Sequence, residues 1–191
     1  MIGIIFGPPG SGKGTQAARI EREFKLKHLS TGQILRAEVA HGSEIGKEVG
    51  RIMAAGDLVP DDIIVSIVRQ RLPESEAGPG VLLDGFPRTV EQARALDEML
   101  AEEGHRVDFV IALDVPEDVL VERILRRAAV EGRADDTEAA IAERMHEYHK
   151  LTAAVLDYYR QNGVRVEVVD GMGEPDAVFE RIRRAIGISS R

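Results

Sequence analysis

The chain has 191 residues, a formal net charge of −8, 43% hydrophobic and 30% charged residues, and no cysteine. That length suits one domain with small insertions. The lack of cysteine removes disulfides, cysteine–zinc sites and thiol catalysis together, and the acidic balance argues against general nucleic-acid binding while leaving room for clustered cations that hold a phosphate. No apolar run approaches the roughly 20 residues of a membrane span, and the first residues lack the basic start of a signal peptide, so a cytoplasmic protein is expected, without nucleic-acid or membrane partners.

The first element is the apolar run at 2–6 ("IGIIF"), read as a strand. It runs into "GPPGSGKGT" at 7–15, with four glycines, two prolines and one lysine in nine residues. Glycines let successive backbone N–H groups turn inward around an anion, and a helix opening near Lys13 adds its positive end. The pattern is Gly, four residues, Gly-Lys, with Lys13 placed to reach the outer phosphates. Gly14 stands where a serine or threonine hydroxyl usually meets magnesium, with Thr15 one place later, so the metal is expected on phosphates, waters and an acidic residue.

Helical spacing predicts a helix from Lys13 to Phe24, then a short strand at 28–30, then helices Thr31 to Ala40, Ser43 to Ala55 and Asp61 to Leu72, the last capped by Asp61 or Asp62. Three helices in a row between two strands predict a lobe beside the sheet. A strand at 81–84 ("VLLD") ends in Asp84, where a second-strand carboxylate of nucleotide hydrolases sits. A helix from Thr89 to Glu103, a strand at 108–115, helices Pro116 to Ala128 and Thr137 to Asn162, a strand at 164–170 and a helix from Pro175 to Ile186 follow. Between the two middle helices lies "RRAAVEGRADD", 126–136, a candidate lid. The alternation predicts an α/β fold, a five-stranded parallel sheet in the order 2-3-1-4-5 with helices on both faces.

With "GPPGSGKGT", "HLSTGQILR" (28–36), "GDLVPD" (56–61), "DGFPRTVEQ" (84–92), "GRADD" (132–136), "ERMHEY" (143–148) and "VDG" (169–171) in place, the sequence resembles the adenylate kinase family, bacterial type with a short lid, over nearly its whole length. The resemblance implies a P-loop NTPase fold divided into a core (1–30, 61–125, 137–191), an NMP-binding lobe (31–60) and a short lid (126–136). It implies a monomer that transfers a phosphoryl group reversibly from ATP to AMP, giving two ADP, with Mg2+.

The resemblance places the donor ATP on Gly10, Ser11, Gly12, Lys13, Gly14, Thr15 and Arg127, with Arg123 stacked on its base and Gly173 nearby. It places AMP on Thr31, Arg36, Gly85, Phe86, Pro87, Arg88, Gln92, Arg133 and Arg144, with Asp57, Leu58 and Val59 along the base and sugar. Lys13, Arg88, Arg127, Arg133 and Arg144 are implied at the transferring group, and Asp84 at Mg2+ through water. The chemistry suits these residue types. Guanidinium forks bind phosphate oxygens bidentately, and the Gln92 amide can pair with the edge of adenine. A run of arginines is commonly a solvated face, and Arg126 is left as such. Asp135 and Asp136 are expected to cap the helix from Thr137. Gln33, where the family often has aspartate, and Ala154, where it usually has proline, depart from the pattern. The long-lid zinc site needs cysteines and is excluded. His146 and His149 lie three apart without an evident third ligand.

Rival readings fit less well. A UMP or CMP kinase is disfavoured by Thr31, Thr89 and Gln92. A guanine switch needs an Asn-Lys-x-Asp reader, and the only asparagine is Asn162. An ATPase leaves "DGFPRT", an acceptor-phosphate motif, without use.

Overall fold

A computed structural model describes residues 1–75, 79–131 and 137–187. Five parallel strands, β1 (Ile2–Phe6), β2 (Lys27–Ser30), β3 (Val81–Asp84), β4 (Phe109–Asp114) and β5 (Arg165–Asp170), form one sheet in the order β2-β3-β1-β4-β5. β1 and β3 are buried along their whole length, which explains their continuous apolar sequence. Alternation still sorts their side chains. Ile2, Ile4, Phe6, Val81, Leu83, Val110 and Ala112 face one helical layer, whereas Ile5, Leu82, Phe109, Ile111 and Leu113 face the other.

The helices are α1 (Lys13–Phe24), α2 (Thr31–His41), α3 (Glu44–Ala55), α4 (Asp61–Ser75), α5 (Val90–Glu102), α6 (Glu117–Glu131), α7 (Glu138–Glu147), α8 (Ala153–Gln161) and α9 (Pro175–Ile186). The first layer is filled from α4, α5 and α8, through Ile64, Val68, Leu96, Leu100, Val155 and Tyr159. The second is filled from α1 and α9, through Ala17, Ile20, Val178, Phe179 and Ile182. A smaller cluster, Val115, Leu120, Ile124, Ile141 and Met145, joins α6 to α7.

Four local expectations are corrected. The helix read from Thr137 to Asn162 is interrupted by one π-helical turn at Tyr148–Thr152. The cap of α7 is Thr137 itself, whose hydroxyl accepts from the Ala140 N–H at 3.2 Å, while Asp135 and Asp136 lie outside the described residues. Asp61 does not spend its carboxylate on its own helix, because both oxygens face α5. Helix α6 runs to Glu131, three residues past the expected end, so 126–131 is helical.

Parallel strands in this order place the C-terminal ends of β1, β3 and β2 side by side. Ile5 is in register with Asp84, and Asp84 with Ser30. The chain leaves β1 toward one face and β4 lies on its other side, so a crevice opens at that edge.

Candidate active site

A cavity of about 1010 Å³ occupies this crevice. The loop after β1 forms its floor. Gly10 adopts φ +81 and lies so close to α6 that a Cβ would meet the Leu120 carbonyl at 2.8 Å, a place only glycine fits. Gly12, also left-handed, precedes α1, whose first turn has no side-chain cap and no acidic residue. The positive end of α1 therefore opens on the cavity unneutralised. Gly10, Ser11, Gly12, Lys13, Gly14 and Thr15 all line it. The Lys13 ammonium bends back and donates to the carbonyls of Gly7 at 2.6 Å and Pro8 at 2.9 Å.

Asp84 ends β3 and is 8% exposed. His28 Nε2 lies 3.2 Å from its Oδ2. Burial opposes its ionisation, but the His28 hydrogen bond and the charges of Lys13, His28 and Arg88 hold its carboxyl below the usual range. Burial draws Lys13 down to about 8, Asp84 pulls the other way, and Arg88, Arg127 and Arg144 add to the fall. Burial also lowers Arg88, Arg144 and Arg36 add repulsion, and Asp84 opposes both. These cations repel one another, and an anion among them relieves the repulsion.

One wall comes from "DGFPR" and α2. The Thr31 hydroxyl donates to the Asp84 carbonyl at 3.3 Å, and Arg88 Nε donates to the Gly85 carbonyl at 2.9 Å. Thr31, Arg36, Asp57, Leu58, Val59, Gly85, Pro87, Arg88 and Gln92 line this part. Gln92 is 2% exposed. Its Oε1 accepts from the Arg88 N–H at 2.7 Å, and its Nε2 donates to Asp61 at 2.6 Å. The amide is therefore held in one orientation, and each end keeps one further bonding position. The Phe86 ring is 1% exposed and packs into the core, since an apolar ring finds better cover behind the loop than in a charged cavity.

The opposite wall comes from α6, α7 and the loop after β5. Arg123, Arg127, Arg144 and Gly173 line it. Arg123 points both terminal nitrogens at the Gly171 carbonyl, 3.4 and 3.5 Å away, and Arg144 Nη2 lies 3.5 Å from the Met53 carbonyl. Arg133 lies outside the described residues. Arg126, read as solvent-facing, is exposed and also borders the cavity.

Among the described residues the lining carries seven cations (Lys13, Arg36, Arg88, Arg123, Arg126, Arg127, Arg144) against five carboxylates (Asp57, Asp84, Glu122, Glu147, Glu174). The whole chain is weighted the other way, with 25 lysines and arginines against 33 acids. Sequence reasoning missed His28, Gln16 and the π turn, which brings Tyr148 and Thr152 to the cavity and lets the Thr152 hydroxyl donate to the Arg88 carbonyl at 3.2 Å. π turns recur at functional sites, but "YHKLT" carries no periodicity that announces one.

For a divalent cation, Asp84 is a buried carboxylate at the cavity floor beside the phosphate loop. No group of three or more histidine, aspartate or glutamate side chains suited to a metal occurs among the described residues. His146 and His149 are both exposed. The donor set fits a cation carried in on phosphate oxygens and waters, and does not fit a dedicated protein cage. No helix among the described residues is long and apolar enough to cross a membrane.

The family model described as adenylate kinase matches residues 5–164. A protein named adenylate kinase from Thermus thermophilus is 50% identical over 185 residues, which covers 97% of this chain and 96% of that one. Another of that name, from Xanthomonas euvesicatoria, is 48% identical over 184 residues, 96% of this chain and 98% of its own.

Proposed function

The chain belongs to the adenylate kinase family, and from that premise we propose that it is an ATP:AMP phosphotransferase that interconverts ATP and AMP with two ADP and so maintains adenine nucleotide balance. The observation that carries this reading is the cavity itself: a phosphate loop at one end, a guanidinium pair on "DGFPR" and α2 at the other, and cations gathered between them.

In this reading the uncapped start of α1 and residues 10–15 hold the ATP phosphates. Arg123 and Gly173 border the donor base. Arg36 and Arg88 grip the AMP phosphate, Gln92 reads the adenine edge from its fixed amide, and Asp57, Leu58 and Val59 border the base and sugar. The acceptor phosphate oxygen forms a bond to the γ-phosphorus as the bond to the bridging oxygen breaks, and ADP leaves with that electron pair. Phosphoryl transfer depends on positioning and on charge at the equatorial oxygens. Lys13 supplies such a charge by exchanging its loop carbonyls for phosphate oxygens, and Arg88, Arg127, Arg133 and Arg144 supply the others. Mg2+ bound with ATP would be held by its phosphates and by Asp84 through water, and would supply further charge neutralisation there. Residues 31–60 act as the acceptor lobe and 126–136 as the lid over a core of 1–30, 61–125 and 137–191, in a cytoplasmic monomer.

A coupled assay that offers ATP with AMP, CMP, UMP or GMP in turn tests the proposal. AMP is expected to give the highest kcat/KM. A preference for CMP or UMP would transfer the chain to a pyrimidine kinase, and no turnover with any of the four would reject the reading.

A further inference from the structure

Gln16 lies one turn into α1, is 3% exposed and lines the cavity. Its Nε2 donates to the Pro175 carbonyl at 3.0 Å. Its Oε1 is buried without a hydrogen-bond partner. A buried unpaired amide oxygen carries the full desolvation penalty of that group, and a leucine or methionine would fill the space without it. What the amide supplies in return is a single donor, aimed at Pro175.

Pro175 begins α9, and the segment before it, 171–174, contributes Gly171, Gly173 and Glu174 to the cavity wall that it shares with Arg123, whose terminal nitrogens point at the Gly171 carbonyl. This segment is held at one end by Arg181, which donates to the carbonyls of Asp170 at 2.9 Å and Met172 at 2.6 Å. Gln16 holds its other end. Gly173 lies between the two ties with φ +99, a conformation that lets the backbone pass close to the cavity without a side chain.

We propose that Gln16 is a positioning residue for the donor base. Helix α1 presents its N-terminus to the phosphates, and one turn later Gln16 fixes the wall on which the base rests. One rigid helix thus sets the separation between the phosphate and base ends of the donor site. The inference rests on assigning the Arg123 and Gly173 end of the cavity to the donor.

The test measures donor and acceptor separately in Gln16→Leu and Gln16→Met, with thermal melting as a check on folding. KM for ATP should rise about tenfold, KM for AMP should change less than twofold, and the kcat/KM ratio of ATP over GTP should fall at least threefold. Melting temperature serves only to show that the variants fold, since loss of the unpaired oxygen is set against a Pro175 carbonyl left without its donor. A folded variant with unchanged KM for ATP and an unchanged ATP-to-GTP ratio would overturn the proposal, as would equal losses for ATP and AMP. Arg123→Ala, run in parallel, separates two kinds of failure. If it weakens ATP while the Gln16 variants do not, the tether alone is refuted. If it spares ATP and weakens AMP, the donor end is misassigned and the proposal falls with that assignment.

Discussion

The Lys13 ammonium donates to the Gly7 carbonyl at 2.6 Å, across the loop that its own helix closes. The group is half-buried, drawn down to about 8 chiefly by burial, and surrounded by Arg88, Arg127 and Arg144. For a lysine with a lowered folded pKa, the charged form is disfavoured by folding below that pKa, and the penalty fades as pH rises from about 8 toward the ordinary value of 10.5. Polyphosphate reverses the imbalance by favouring the ammonium. ATP binding at pH 8.5 should therefore take up a fraction of a proton, read by calorimetry in buffers of different ionisation enthalpy. The uptake should vanish in Lys13→Met. Equal heats in all buffers would refute the coupling.

The same substitution should lower turnover by at least about a hundredfold, the scale of one strong electrostatic contact to the transition state. Near-normal turnover in folded Lys13→Met would remove Lys13 from the mechanism.

Arg88 is held by its neighbours from both ends, with Nε on the Gly85 carbonyl and its own carbonyl receiving Thr152. Its guanidinium feels Arg36 and Arg144 as like charges. An acceptor phosphate between Arg36 and Arg88 would relieve that strain. Arg88→Ala should therefore weaken AMP far more than ATP in equilibrium titrations. Equal losses for the two nucleotides would reject the assignment.

Much of this was legible in the sequence. Strands β1, β3 and β4 announce themselves because strands covered on both faces need unbroken apolar runs. The phosphate loop and "DGFPR" are legible because their chemistry needs those residue types in that order. Polar residues that serve the fold from inside are not. His28, Gln16 and Asp61 look like surface residues until the sheet order brings β2 beside Asp84, α9 beside α1, and α5 beside α4. The π turn is hidden for a different reason: one extra residue in a helix shifts the backbone while the surrounding apolar pattern stays helical. Phe86 sits inside a binding motif, yet its side chain answers to the core.

Asp61 receives the Thr89 hydroxyl at 3.0 Å and Gln92 Nε2 at 2.6 Å, and so joins α4 to the start of α5. Asp61→Ala would leave the buried Gln92 amide short of a partner, at about 1–3 kcal/mol. For a chain of this size that corresponds to a fall in Tm of about 2–12 °C. KM for AMP should rise as well, because the amide loses its fixed orientation. An unchanged Tm would show that the bond is not made in solution.

Gly56 ends α3 with φ +89, and a Cβ there would lie 2.6 Å from the Ala140 carbonyl of α7. The end of α3 thus approaches α7 closely at Gly56, where only a residue without a Cβ fits. Gly56→Ala should cost about 1–3 kcal/mol in backbone strain and push α3 away from α7. Asp57, Leu58 and Val59 follow directly, so KM for AMP should rise while KM for ATP changes little. A rise in both to the same extent would mean that the contact supports the whole fold and not the acceptor lobe.

Water is an abundant acceptor, and a phosphotransferase must suppress hydrolysis. Here the suppression follows from how the cations are distributed. All five cations line the cavity, and the proposed assignment gives Lys13 and Arg127 to the donor phosphates and Arg36, Arg88 and Arg144 to the acceptor. With ATP alone, Arg36 and Arg88 keep their mutual repulsion and no anion draws them inward. In the proposed reaction the AMP phosphate would neutralise that pair, and closure over both nucleotides would expel water while completing the cationic surround. Hydrolysis of ATP without AMP is therefore expected to be slower than transfer to AMP by on the order of a thousandfold or more, the scale of an arginine-dependent step. A ligand joining two adenosines through five phosphates should bind much more tightly than either nucleotide, because it makes both sets of contacts in one event. Phosphate release from ATP alone, measured beside ADP formation with AMP, decides the first point. Comparable rates would mean that the acceptor contributes nothing to assembling the site, and that Arg36 and Arg88 do not act through its phosphate.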